Sequence, residues 1–355
     1  MRIDQLIPAF HRGDAIGDTA YHMKQFFLSQ GFQSEIYCLS RDLGLERDSR
    51  LFDEYPSSTS SDITILHFGL PSPLTKALIG MSSRKVIIYH NITPGKFFKA
   101  YSEEMVRITN IGRKELQILA AHVELAFADS EYNRQELVDC GYKNTEVLPL
   151  FVDFSKYGKP VDQMTYDLYK DGRTNILFAG RVVPNKKIED LIKVVFYYKK
   201  FVSPLVRLIV VGKTSSLPDY YKGLVQLADE FYLKPEEILF TGHIPDEEMF
   251  AFYKVSDVFL SLSEHEGFGL PFIESLVFDL PVIAYDCTAV SSTLEGAGIL
   301  IKNKKLDYVA ELIQLIVRDR DLREKIIEGQ RERLQRFKEM RLDNILLKSL
   351  KELLP

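Results

Sequence analysis

Cysteine is scarce in this chain: its 355 residues hold three, Cys38, Cys140 and Cys287, far apart and without the spacing of a metal site. So sparse and odd a set argues against a disulfide framework and fits a reducing compartment. Long apolar runs are missing too, and no stretch reaches the roughly 18 apolar residues that a membrane span needs. The start, Met1-Arg2-Ile3-Asp4-Gln5, lacks the apolar core of a secretory signal. A cytoplasmic protein is expected, with a resting place on the inner membrane face left open. An excess of positive charge is also absent, because a net charge of -5 gives no footprint for nucleic acid. The glycine-bearing loop near the start, His11 to Gly17, is not spaced as G-x-G-x-x-G, which disfavours a dinucleotide-binding opening.

What the chain does have is 46% hydrophobic residues, enough for two buried cores, over a length that suggests two domains of about 100–200 residues each. Short apolar runs alternate with helix-length amphipathic segments, the pattern of β-α-β units and parallel sheets. The fold class expected is α/β, with two doubly wound parallel-sheet domains. Strands are read at 3–8, 34–39, 62–68, 85–89, 123–128 and 145–150, then at 175–179, 206–212, 238–242, 258–260 and 281–285. A first helix starts at Asp18 or Thr19 as N-cap and ends at Gly31. Residues 41–61 read as a surface loop and 157–172 as the linker. The domain boundary falls between 158 and 159, with the second domain over 159–337.

The stretch Leu262 to Leu276, Leu-Ser-Glu-His-Glu-Gly-Phe-Gly-Leu-Pro-Phe-Ile-Glu-Ser-Leu, carries the chemistry. It follows a buried strand, breaks at Gly267 and Gly269, and restarts as a helix with Pro271 in its first turn. Free N–H groups and the positive helix end make an anion site. Glu266 and Glu274 bracket the loop. Carboxylates repel an anion but bind sugar hydroxyls through charge-assisted bonds. A ligand with both an anion and several hydroxyls is a nucleotide sugar. His67 and His90 end strands on the side where open α/β sheets bind ligands. Arg181 and Lys186 leave a strand end beside a helix start, where a diphosphate needs cations.

Glu266-x7-Glu274 and the frame Ser263-Glu264-His265-Glu266-Gly267-Phe268-Gly269-Leu270-Pro271 resemble the signature of retaining GT-B glycosyltransferases of family 4 (glycosyl transferases group 1). Gly180-Arg181 through Lys186-Lys187 and Tyr89-His90-Asn91-Ile92-Thr93-Pro94 resemble further elements of that family, and the loop Gly13 to Gly17 does so with Asp18 replacing an Asn. The resemblance implies two domains facing a cleft, with a helix over about 338–355 packing back on the N-terminal, acceptor-side domain (1–158). It implies that Arg181, Lys186, Gly17, Gly269 and Leu270 hold the donor diphosphate and that Glu274 holds the ribose. Gly212, His243 and Ile244 would line the base pocket, and Glu266 and His90 would face the transferred hexose. The co-substrate is a nucleoside-diphosphate sugar, the cofactor none, the metal none. The acceptor is a glycan or lipid-linked molecule of bacterial surface polysaccharide assembly, with peripheral membrane contact through the basic segment 97–121. Two rivals stay open here: a nucleotide-sugar epimerase of the same build, and a non-catalytic nucleotide-sugar or glycan-binding partner.

Overall fold

In a computed structural model, which describes residues 1–353, the apolar runs pair into two sheets in which every strand pairing is parallel. The first sheet is built from β1 (Ile3–Phe10), β2 (Ile36–Arg41), β3 (Arg50–Leu51), β4 (Ile63–Phe68), β5 (Arg84–Tyr89), β6 (Leu125–Ala128) and β7 (Thr145–Val147). Its order is β3-β2-β1-β4-β5-β6-β7. The second comprises β8 (Thr174–Ala179), β9 (Val206–Val211), β10 (Ile238–Gly242), β11 (Val258–Ser261), β12 (Val282–Tyr285) and β13 (Ile299–Ile301), in the order β10-β9-β8-β11-β12-β13. In each sheet the order reverses beside the first strand, which is the doubly wound arrangement. Strands covered by helices on both faces read as near-continuous apolar runs, and every residue of β4 and of β9 is buried.

Two compact units follow from this. The first comprises Met1–Lys96, Glu103–Asp153 and Met340 onward; the second comprises Phe97–Ser102 and Phe154–Glu339. Leu342, Leu346 and Leu350 share one face of the last helix, Leu342–Lys351, and are buried in the same cluster as Met23, Phe27, Ile63 and Phe127 of the first unit. The last two residues of the helix expected over about 338–355 lie outside the described residues.

The division falls after Asp153, five residues before the expected boundary, because Tyr157 is buried among residues of the second unit. The stretch read as linker contains a helix, Gln163–Tyr169, capped by Asp162, whose Oδ1 accepts from Thr165 N at 2.7 Å. The stretch read as surface loop holds β3, two residues long and below the length at which alternation shows. The first helix, Ala15–Ser29, starts earlier than expected: Asp14 is its cap, accepting from Ile16 N at 2.7 Å and Gly17 N at 3.2 Å. Asp18 instead pairs with Arg12 at 2.8 Å.

Candidate active site

Three glycines end adjacent strands of the second sheet: Gly180 after β8, Gly212 after β9 and Gly242 closing β10. Their backbones stack, with Gly212 N donating to Gly242 O at 3.0 Å and Gly180 N to Val211 O at 2.9 Å. Gly212 has φ 145°, and a Cβ there would lie 2.0 Å from the Gly180 carbonyl oxygen, so no side chain fits. This close approach sets a flat floor from which Arg181 leaves β8 and His243 leaves β10. Both are exposed, and Ile244 beside them is half-buried. Arg181 has no hydrogen bond or ion pair among the described residues.

The turn after Arg181 is tied to the loop that follows β11. Asn185 is buried; its Nδ2 donates to His265 O at 3.0 Å, and Glu264 N donates to Asn185 O at 2.8 Å. This brings Lys186 Nζ to 2.5 Å from Glu266 Oε2. Lys187 turns the other way, at φ 53°, and pairs with Glu189 at 2.7 Å. The backbone of Glu266 is held from the next strand end as well. Its N–H donates to Thr288 Oγ1 at 2.8 Å and its carbonyl accepts the Thr288 hydroxyl at 2.8 Å. Burial, with the Glu266 charge adding to it, pushes the neighbouring Cys287 thiol up to about 11, which makes it a poor nucleophile at neutral pH.

Gly269 caps the helix Leu270–Val277 in a left-handed conformation, φ 87°, and a Cβ there would meet the Phe272 ring at 2.5 Å. No side chain caps this helix start, so its first N–H groups keep the anion-binding potential read from the sequence. Leu270, in its first turn, is half-buried.

Glu274 sits one turn further in and is buried. Tyr157 hydroxyl donates to its Oε1 at 3.1 Å and Tyr253 hydroxyl to its Oε2 at 2.9 Å, with Lys156 Nζ 3.8 Å away. Burial raises its pKa, against the pull of Lys156 and the two hydroxyls, and the same burial lifts that of Tyr253. The sequence reading left this carboxylate open to ribose; both of its oxygens instead accept from tyrosines.

In the first unit, Gly17 lies in the opening turn of its helix. Its N–H is taken by Asp14, and a Cβ at this position would lie 1.7 Å from the His11 carbonyl oxygen. The loop's own packing therefore requires a glycine at this position. His90 directly follows β5, with its ring enclosed. Its ring is 2% exposed, with Nδ1 at 3.0 Å from Asp129 Oδ2 and Nε2 at 2.9 Å from His67 Nδ1. His67 Nε2 continues to Gln5 Oε1 at 2.9 Å.

Of the basic residues on the helix Glu103–Leu119, Arg113 is turned to the protein, donating to Ile92 O at 2.7 Å and pairing with Glu136 at 3.2 Å. Asn185, Thr288, Tyr157, Tyr253, Asp129 and Gln5 were not assigned from the sequence, although Asn185 and Asp129 lie inside stretches that resemble family elements.

Residues 167–333 match the family model described as Glycosyl transferases group 1. The chain is 28% identical over 163 residues to the capsular polysaccharide biosynthesis glycosyltransferase CapM of Staphylococcus aureus, covering 44% of this chain and 40% of that protein. It is 26% identical over 219 residues to the D-inositol 3-phosphate glycosyltransferase of Nocardia farcinica, covering 58% and 48%. The chain thus spans less than half the length of these curated relatives. The crystal structure of HepE from Anabaena in complex with UDP superimposes with a TM-score of 0.75 at 16% identity, covering 99% of this chain and 100% of that one. No helix among the described residues is long and apolar enough to cross a membrane. Residues 167–333 are thus similar to the Glycosyl transferases group 1 family model, in a chain with the GT-B fold of two Rossmann-like units.

Proposed function

We propose that the protein is a retaining glycosyltransferase that moves a hexose from a nucleoside-diphosphate sugar to a glycan or lipid-linked acceptor in the assembly of a surface polysaccharide. The observation that carries this reading is the Lys186–Glu266 pair at the carboxyl edge of the second sheet, 2.5 Å apart, near Arg181 and the helix start at Gly269, both without a side-chain partner among the described residues. Cation and carboxylate lie side by side where a sugar diphosphate presents an anion joined to hydroxyls.

Transfer breaks the bond between the anomeric carbon and the diphosphate oxygen and forms one from that carbon to the acceptor oxygen. Positive charge develops on the sugar and negative charge on the leaving group. In this reading Arg181, Lys186 and the helix N–H groups stabilise the leaving charge; one such donor elsewhere is worth on the order of 10²–10³ in rate. Glu266, freed from Lys186 as the phosphates engage that lysine, accepts hydroxyls of the hexose. Glu274 keeps further lone pairs for ribose beside its tyrosines, since two carboxylate oxygens offer about four acceptor directions. Retention follows if the acceptor hydroxyl attacks from the leaving-group side and passes its proton to the departing phosphate. No metal is assigned a step. Membrane contact is part of the proposal, carried by Arg107 and Lys114 on the helix Glu103–Leu119.

HepE was crystallised with UDP-glucose, and CapM bears the name of a capsular polysaccharide enzyme; both favour a nucleotide sugar and a surface glycan. A thermal-shift screen with UDP, GDP, ADP and dTDP tests the donor, because a ligand bound only by the folded state raises the melting temperature. NMR of the product formed from the matching sugar nucleotide then reads its anomeric configuration. A flat response to all four nucleotides overturns the proposal.

A further inference from the structure

We infer that Gln5, His67 and Asp129 are positioning residues that hold His90 as a fixed imidazolium at the carboxyl edge of the first sheet. The four side chains come from four neighbouring strands: Gln5 from β1, His67 from β4, His90 from the residue after β5 and Asp129 from the residue after β6. They form one hydrogen-bonded line across the sheet, and the ring planes of His67 and His90 are parallel within 3°. The chain of argument begins at the amide. Gln5 Nε2 faces the Ala20 carbonyl oxygen at 2.9 Å. A carbonyl only accepts, so the nitrogen end belongs there and Oε1 is left facing His67 Nε2 at 2.9 Å. That ring nitrogen must therefore carry a proton.

At the other end, Asp129 oxygens lie 3.0 and 3.1 Å from His90 Nδ1. Imidazole is a stronger base than a carboxylate by about 2.5 pH units, so this proton sits on the ring. One more proton lies between His67 Nδ1 and His90 Nε2, 2.9 Å apart. Three ring protons over two imidazoles is one more than two neutral rings hold. The pair is a single cation beside a single carboxylate. Burial, and then the neighbouring His90 charge, push the His67 pKa well down. The extra proton therefore rests on His90, next to Asp129. So held, His90 donates from both nitrogens and offers no basic lone pair, so it contributes fixed charge and serves neither as a general base nor as a direct sugar acceptor.

The link to turnover rests on the proposed transfer reaction; the protonation pattern does not. Histidine-labelled full-length protein, studied by long-range ¹H–¹⁵N spectra at neutral pH without substrate, tests it directly. Protons on both ring nitrogens of His90 and on Nε2 alone of His67 are expected. Gln5→Met removes the acceptor at the far end, and the pair should then give up a proton. Gln5→Glu restores an acceptor and should keep all three. Wild-type His90 with one ring proton, or a Gln5→Met spectrum identical to wild type, overturns the proposal. If Gln5→Met fails to fold, judged by its backbone amide spectrum, the wild-type pattern decides alone. The spectra need no donor, so a failure here and a failure of the transferase reading are separate results.

Discussion

Lys186 and Glu266, 80 residues apart in the chain, meet at 2.5 Å, and each is the other's only ion-pair partner among the described residues. In the proposed reaction they must separate, the lysine toward phosphate and the acid toward sugar. Glu266→Gln releases the lysine and removes a negative charge from beside the diphosphate. We expect it to bind nucleoside diphosphate several-fold tighter, by roughly 1 kcal/mol, while turnover falls on the order of 10²–10³-fold. Lys186→Ala should weaken the same binding by about tenfold. Calorimetry with the nucleotide selected by the thermal-shift screen reads both, and a Glu266→Gln variant that binds more weakly than wild type removes Lys186 from the phosphate site.

Arg181 gives a cleaner separation of binding from folding. It is exposed and makes no hydrogen bond or ion pair among the described residues, so its removal leaves no buried group unsatisfied. Arg181→Ala should stay within about 0.5 kcal/mol of wild type in chemical denaturation. Its affinity for nucleoside diphosphate should nevertheless drop by about tenfold, with Arg181→Lys recovering only part, because the planar fork is lost. Unchanged affinity in Arg181→Ala shows that the guanidinium serves nothing at this edge.

The site was legible where its chemistry is contiguous. Arg181 and Lys186 fall within six residues, as do the glycines and proline around Gly269, so a strand end and a helix start were readable locally, while their roles came from the family resemblance. The alternation of apolar runs likewise gave the parallel sheets. What escaped was built from distant residues that share a place only after folding. Tyr157 reaches Glu274 across 117 residues from a stretch read as linker, and nothing in its local sequence signals a partner. Gln5 and Asp129 join His90 only once the order β1-β4-β5-β6 is known. The cap of the first helix was misplaced because Asp14 and Asp18 both suit the role, and only backbone geometry separates them.

Glu274 tests the ribose assignment, with its tyrosines as a complication that the choice of substitution must respect. Glu274→Ala leaves two buried hydroxyls and Lys156 without their acceptor, so a loss of stability of about 1–3 kcal/mol would obscure any binding effect. Glu274→Gln keeps an amide in the same space. It should remain folded and lose most of the preference for a ribonucleotide over its 2'-deoxy counterpart in competition titrations. A variant that retains the wild-type preference places the ribose elsewhere.

Asp4 offers a prediction of pH dependence away from the site. It is buried in β1, its Oδ1 accepts from Glu35 N at 3.1 Å, and its Oδ2 has no hydrogen-bond partner among the described residues. Burial lifts its pKa to about 6, opposed by Arg2 and the Glu35 N–H. The folded state therefore binds this proton more tightly than the unfolded chain, whose value is near 3.8. The sign follows: the proton's stabilising contribution is present in full below pH 3.8, declines as pH rises and is lost above pH 6. Above that, the fold carries the cost of a buried carboxylate with one bare oxygen. Asp4→Asn keeps the Glu35 contact and removes the charge, so it should stabilise the protein by on the order of 1–3 kcal/mol at pH 8. At pH 4 the gain should nearly vanish. Thermal unfolding of both proteins between pH 4 and pH 8 decides it, and a gain that grows toward acid would show that Arg2, at 3.9 Å, holds Asp4 ionised in the fold.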